Sequence, residues 1–326
     1  MRFLALAAAA AAAVAAATSA SASSPKPGPL LVFLLAGQSN MEGQSPTDST
    51  DPNPGCTGCP HRNGTLAWMV FNETRAEVQA WSSKLVNPDG SWLVLPSVWM
   101  WGNENRGTTN WTVGNGVTKN ANGPEYGFGY GIAQAAPQQA LLAKWARGGT
   151  SLAQDWRPPS SGGTVGPLFV ESVAAWKSLL TTENLTALYP SYDASAGFEI
   201  AGFLWTQGWQ DGCSDSMAAE YETNMAHFIA DMRAAFNSPK LPFAISVFGV
   251  AGFAQSIPRR VEVTQAQFNV ANCTLHPELG ESVKIRPFCP PNIPCDSVSR
   301  AEGAGPSSAG WRQLHTHTHT HHRTNP

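Results

Sequence analysis

Residues Leu30 to Leu35 form an uninterrupted apolar run of strand length. The run breaks at Ala36-Gly37, and Gln38 and a serine, Ser39, follow at once. A continuous apolar run fits a strand buried on both faces, as in a parallel sheet covered by helices on both sides. Open sheets of that kind bind ligands outside the carboxyl ends of their strands. A sharp turn there holds the Ser39 hydroxyl in a crevice, the way nucleophile-elbow hydrolases present their serine. The segment Gly37-Gln-Ser-Asn-Met41 lacks the second glycine of G-x-S-x-G, however. The plain alternative is a strand-to-helix turn whose serine caps the helix.

The remaining chain alternates strand and helix. Strands are expected at 140–146, 199–206 and 241–250, and helices at 127–136, 168–180, 215–236 and 260–273. Such alternation predicts a parallel sheet between two helical layers. Residues 42–65 read as a long loop, and 66–122 as an irregular, tryptophan-rich lobe over the cleft. Charged residues make up only 13% of the chain and the net charge is -3, so there is no electrostatic footprint for nucleic acid. Most of the twelve tryptophans are expected to anchor core and loops, with some free to act as sugar platforms.

Arg2, the alanine-dominated run Phe3 to Ala17 and the Ala20-Ser-Ala22 site read as a secretory signal peptide over 1–22. A Pro/Ser linker, 23–29, follows. Five sequons, at Asn63, Asn72, Asn110, Asn184 and Asn272, fit a secreted glycoprotein. Each would have to be exposed to be used. The six cysteines (Cys56, Cys59, Cys213, Cys273, Cys289 and Cys295) permit three disulfides with fifteen possible pairings. Cys56-Thr-Gly-Cys59 has no second C-x-x-C and reads as a loop staple. No membrane span is expected, since no later segment is long and charge-free enough.

Three blocks carry a resemblance. Leu35-Ala-Gly-Gln-Ser-Asn-Met41 resembles the first block of the SGNH (GDSL-type) hydrolases, in the form of the sialate O-acetylesterase-like carbohydrate esterases. Gly123 to Gly129, then Leu141-Leu-Ala-Lys-Trp-Ala-Arg-Gly-Gly-Thr-Ser151, is similar to the second block. Phe203-Leu-Trp-Thr-Gln-Gly-Trp-Gln-Asp211 is similar to the third, usually written Gln-Gly-Glu-x-Asp. The resemblance implies an α/β, three-layer flavodoxin-like fold over 30–289 and hydrolysis of acetyl esters on carbohydrate through a serine acyl-enzyme. It implies Ser39 as nucleophile. The Ser39 N–H, an N–H of Gly148-Gly149 and the Gln207 amide would form the oxyanion hole. Asp211 is a candidate acid partner, and Gln38, Asn40 and Trp209 are candidate substrate contacts. No metal or organic cofactor is implied. A non-catalytic carbohydrate-binding protein and a GDSL-type lipase are the alternative functions.

Two departures stand out. Trp209 occupies the position where the third block often has glutamate. No Asp-x-x-His segment, the family's usual source of the base, occurs near the carboxyl end. His276 reads as a surface residue, His227 as a helix residue, and His61 as part of the long loop. Residues 290–326 are low in complexity and end in His315-Thr-His-Thr-His-Thr-His-His322, the product expected from translating a CA dinucleotide repeat. The tail is therefore expected to be a gene-model artefact replacing the segment that carries the base.

Overall fold

The computed structural model describes residues 28–48, 61, 64–102, 108–136, 138–247 and 255–286. The signal peptide, Asn63, four of the six cysteines and the tail lie outside them.

The apolar run becomes β1 (Leu30–Gly37), and Ser39 opens a single-turn helix, α1 (Ser39–Glu42). A two-residue strand β2 (Ser45–Pro46) follows, then helices α2 (Leu66–Phe71) and α3 (Ala76–Ser82). Next come strands β3 (Leu95–Gly102), β4 (Thr108–Trp111) and β5 (Ala121–Asn122), and helix α4 (Pro124–Ala135). The second half runs β6 (Ala140–Ala146), α5 (Pro167–Leu179), α6 (Thr182–Leu188), β7 (Phe198–Thr206), α7 (Asp215–Ala235), β8 (Phe243–Ser246), α8 (Pro258–Val270) and β9 (Val283–Arg286). Proline at the first position of α4, α5 and α8 suits a site that needs no N–H donor.

Seven strands form one sheet in the order β4-β3-β6-β1-β7-β8-β9. Every neighbouring pair is parallel except β3–β4. This is the expected α/β architecture, with β1 at the centre. Its last residue, Gly37, is in register with Ala146 of β6 and Thr206 of β7. That alignment brings the three blocks, far apart in sequence, to one edge of the sheet. One face of the sheet packs on Trp156, Trp176, Trp205, Phe203 and Phe228. The other packs on Met41, Trp111, Tyr126 and Leu142.

The reading of 66–122 needs correction, because β3 and β4 are part of the main sheet. Pro96 obscures the strand pattern, and it sits where the β3–β4 register shifts between Leu95 and Trp99. A proline there removes no N–H from a regular ladder. Helix α6 and strand β9 were also unexpected, being only seven and four residues long. The strand expected over 241–250 is observed at Phe243–Ser246, and residues 248–250 are not described. Among the described residues no helix is long and apolar enough to cross a membrane. Cys213 and Cys273 are exposed and unpaired, and the pairing of the other cysteines lies outside the described residues. Of the sequon asparagines, Asn272 is exposed, while Asn72, Asn110 and Asn184 are half-buried.

Candidate active site

Gly37 makes the turn possible. Its φ is +150°, and a Cβ there would fall 2.1 Å from the carbonyl oxygen of Thr206. Only glycine lets the chain leave β1 so close to β7. The Gln38 N–H then donates to that same Thr206 oxygen at 3.1 Å. The Gln38 side chain is 4% exposed. Its Oε1 accepts from the Gly208 and Gln210 amides at 3.2 and 3.3 Å. Gln38, expected as a substrate contact, thus uses its side-chain oxygen to pin the third block's turn to the serine turn. Ser39 is half-buried and Asn40 exposed, whereas Met41 is in the core.

The Gly148-Gly149 turn lies directly against the serine. A Cβ added to Gly148 would sit 3.5 Å from Ser39 Cβ and 3.1 Å from Glu42 Oε2. Gly149 has φ +70° with open space around it. The turn is held at both ends. The Arg147 N–H donates to Gly37 O at 3.2 Å, and the Thr150 hydroxyl donates to Arg147 O at 2.7 Å. The Trp156 indole N–H in turn donates to Thr150 Oγ1 at 3.1 Å.

Gln207 and Asp211 lie beneath this turn, 3% and 0% exposed. The Gln207 Nε2 donates to Thr150 O at 3.0 Å and to Asp211 Oδ2 at 2.5 Å. Its two N–H groups are therefore engaged inside the protein. Asp211 also accepts the Leu152 and Ala153 amides at 2.9 and 3.0 Å. Burial raises the Asp211 carboxyl to about 6, against the pull of these three donors. Asp211 ties the segment after the Gly148-Gly149 turn to the third block, and no described histidine bonds to it. Below it, Gln267 of α8 donates to Gln207 O at 2.8 Å and to the Tyr221 hydroxyl at 3.1 Å.

A buried lysine, which sequence reasoning passed over inside the second block, supports the other side. Lys144 of β6 is 1% exposed and pairs with the equally buried Glu125 of α4 at 3.1 Å. Its Nζ also donates to Glu42 O, the end of the serine's helix, at 3.0 Å. Burial pushes the Glu125 carboxyl up, opposed by Lys144 and by the Gly123 amide, which lies 2.7 Å from Oε1. Proximity to Ser39's helix could have been suspected from one signal only, a charged residue inside an otherwise apolar strand.

The described histidines all bond elsewhere. His61 Nδ1 meets Asp48 Oδ2 at 2.9 Å, with its ring stacked on Phe71. His227 meets the Ser161 hydroxyl at 3.1 Å. His276 bridges Glu278 and Glu222 at 2.8 and 3.0 Å. His315 to His322 lie outside the described residues. Trp209, between the two amides that bind Gln38, is 42% exposed. Its ring lies under the Arg260 guanidinium at 4.6 Å.

Comparison with known proteins places this arrangement in a family. Solved structures to which the chain is similar include a protein of Arabidopsis thaliana (18% identity, TM-score 0.48, covering 82% of this chain and 89% of that one). Another is a carbohydrate acetylesterase from Xanthomonas citri (15% identity, TM-score 0.45, 83% and 54% covered). A third is NanS (12% identity, TM-score 0.49, 82% and 80% covered). No curated protein sequence matches the chain. The family model described as carbohydrate esterase, sialic acid-specific acetylesterase, matches residues 29–280, which contain the serine turn and both blocks that meet it. The chain belongs to the sialic acid-specific acetylesterase family of carbohydrate esterases.

Proposed function

We propose that this protein is a secreted carbohydrate O-acetylesterase that works through a serine acyl-enzyme. The observation that carries the reading is the seating of Ser39. It stands at the carboxyl end of the central strand, half-buried, with the Gly148 backbone directly against it. Ser39 Oγ attacks the acetyl carbonyl while its proton passes to a base, giving a tetrahedral intermediate with negative charge on the former carbonyl oxygen. Backbone N–H groups of Ser39 and of the Gly148-Gly149 turn stabilise that charge. Losing one such donor typically costs ~10²–10³ in rate. The alcohol leaves with a proton, and water then releases acetate.

Gln207 and Asp211 act in this reading by holding the turn, since Gln207's N–H groups already serve Thr150 and Asp211. Among the described residues His61, His227 and His276 each have other partners, so none of them is assigned as the base. The terminal His-Thr repeat is a poor source for it, and a corrected reading frame carrying an Asp-x-x-His-like segment is the reading we favour.

The histidine placements also favour a second reading, a binding protein that keeps the cleft without turnover. Acetate release from O-acetylated sugars, compared between the chain and Ser39→Ala, separates the two. Release that Ser39→Ala abolishes supports the esterase. Equal background from both sinks it for this chain. Acetate esters hydrolysed faster than butyrate esters would set a carbohydrate acetylesterase apart from a lipase.

A further inference from the structure

Lys144 is a charged side chain inside the otherwise apolar strand β6, and the reaction just described does not use it. Both it and its partner Glu125 are 1% exposed. A buried ion pair is seldom a net gain for a fold, since a well-packed apolar pair of similar volume is often as stable or more so. The charge therefore needs a role that apolar packing would not fill.

The contacts of the ammonium supply one. Nζ donates to Glu42 O at 3.0 Å and to Asn115 O, and pairs with Glu125 Oε2 at 3.1 Å. Glu125 Oε1 in turn accepts the Gly123 amide at 2.7 Å. The end of α1, the loop around Asn115 and the start of α4 meet backbone to backbone at Gly43. A Cβ there would fall 2.6 Å from Gly123 N and 2.8 Å from Gly116 Cα. One buried cation thus ties all three segments to β6, the strand that leads into the Gly148-Gly149 turn.

Helix α1 needs such an anchor. It is a single turn, closed by Glu42 N–H to Gln38 O at 2.8 Å and Gly43 N–H to Ser39 O at 2.9 Å. So short a helix is not stable by itself, and its last carbonyls have no partner within the helix. Glu42 O is one of them, and Lys144 donates to it. Gln38 fixes the front of the turn and Lys144 the rear, with Ser39 between them.

We propose that Lys144, neutralised by Glu125, is a positioning residue for Ser39. It holds the rear of the serine's helix against the Gly148-Gly149 turn and so sets the distance from the hydroxyl to the backbone donors. This rests on the reading of Ser39 as the nucleophile. Misplacing a reacting group by about 1 Å costs up to about 10²-fold in rate, while the contacts that bind substrate stay in place.

The test uses the full chain carrying Lys144→Met with Glu125→Gln, which removes the ammonium but keeps an acceptor for the Gly123 amide. Lys144→Met with Glu125→Met is the second variant. Both are expected to unfold at nearly the wild-type urea concentration. Acetate release is expected to lose about 10- to 100-fold in kcat, with KM unchanged within about two-fold. Amide hydrogen exchange, read by mass spectrometry, is expected to quicken over residues 38–43 and to stay as in the wild type over β1. Folded variants with wild-type kcat, a loss that falls on KM instead, or unchanged exchange over 38–43 overturns the proposal. Failure of both variants to fold also overturns it, because the pair would then hold the fold and not the site. If the wild-type chain releases no acetate, the esterase reading falls, and exchange over 38–43 alone decides for or against Lys144.

Discussion

Asp211→Asn tests how much the buried carboxylate under the Gly148-Gly149 turn costs the fold. Burial raises Asp211 from the ordinary 3.8 to about 6. At about 1.36 kcal/mol per pH unit, the ionised form is penalised in the folded state by roughly 3 kcal/mol. The sign is that of a raised acid. Between pH 4 and 6 the folded chain holds a proton that the unfolded chain has released, so stability from this group falls as pH rises. The cost is absent below the unfolded pKa and complete above about pH 6. Asparagine does not titrate, so the wild type should lose about 3 kcal/mol relative to Asp211→Asn between pH 3.5 and 7. The variant has its own cost. One amide oxygen cannot serve Leu152, Ala153 and Gln207 together, and each buried donor left unanswered costs about 1–3 kcal/mol. The two effects nearly offset at neutral pH, where the proteins should differ by less than about 2 kcal/mol while the turn loosens. Urea unfolding followed by tryptophan fluorescence across the pH range measures the difference. Parallel stability profiles for the two proteins would refute the argument.

Other perturbations separate the remaining contributions. Gly37→Ala places a Cβ 2.1 Å from Thr206 O at an unfavourable φ. It should lower stability by about 3 kcal/mol or more, or prevent folding, as read by thermal unfolding. Glu125→Ala leaves Lys144 charged and buried without its carboxylate, and should cost about 3–5 kcal/mol in denaturant unfolding. Glu125→Met with Lys144→Met should recover much of that loss. For His276, burial opposes protonation, but hydrogen bonds to Glu222 and Glu278 overcome it and hold the pKa above 6.5. Its contribution is present below pH 6.5 and lost as pH rises through the raised value. His276→Gln should flatten stability over that range.

The strand-end turns were legible because each depends on local sequence. An apolar run ended by Gly37 and Ser39 specifies a buried strand and a sharp turn through sterics alone. Gly148-Gly149 and Gln207 announce further turns at strand ends. Short or interrupted elements were not legible. Strands β3 and β4 looked like loop because Pro96 and a register shift break their alternation, and four-residue β9 gives too little pattern to read.

The sequence by itself determined the strand, the turn and the residue types that meet at the carboxyl edge of the sheet, since backbone sterics and hydrophobic periodicity act over a few residues. Only the tertiary structure decided what each buried polar group does. Gln207 and Asp211 brace the turn, Gln38 gives its oxygen to the third block, and Lys144 holds the end of the serine's helix. A buried hydrogen-bonding group must take the nearest partner left by packing, and those partners come from segments more than a hundred residues apart in the case of Gln38 and Lys144.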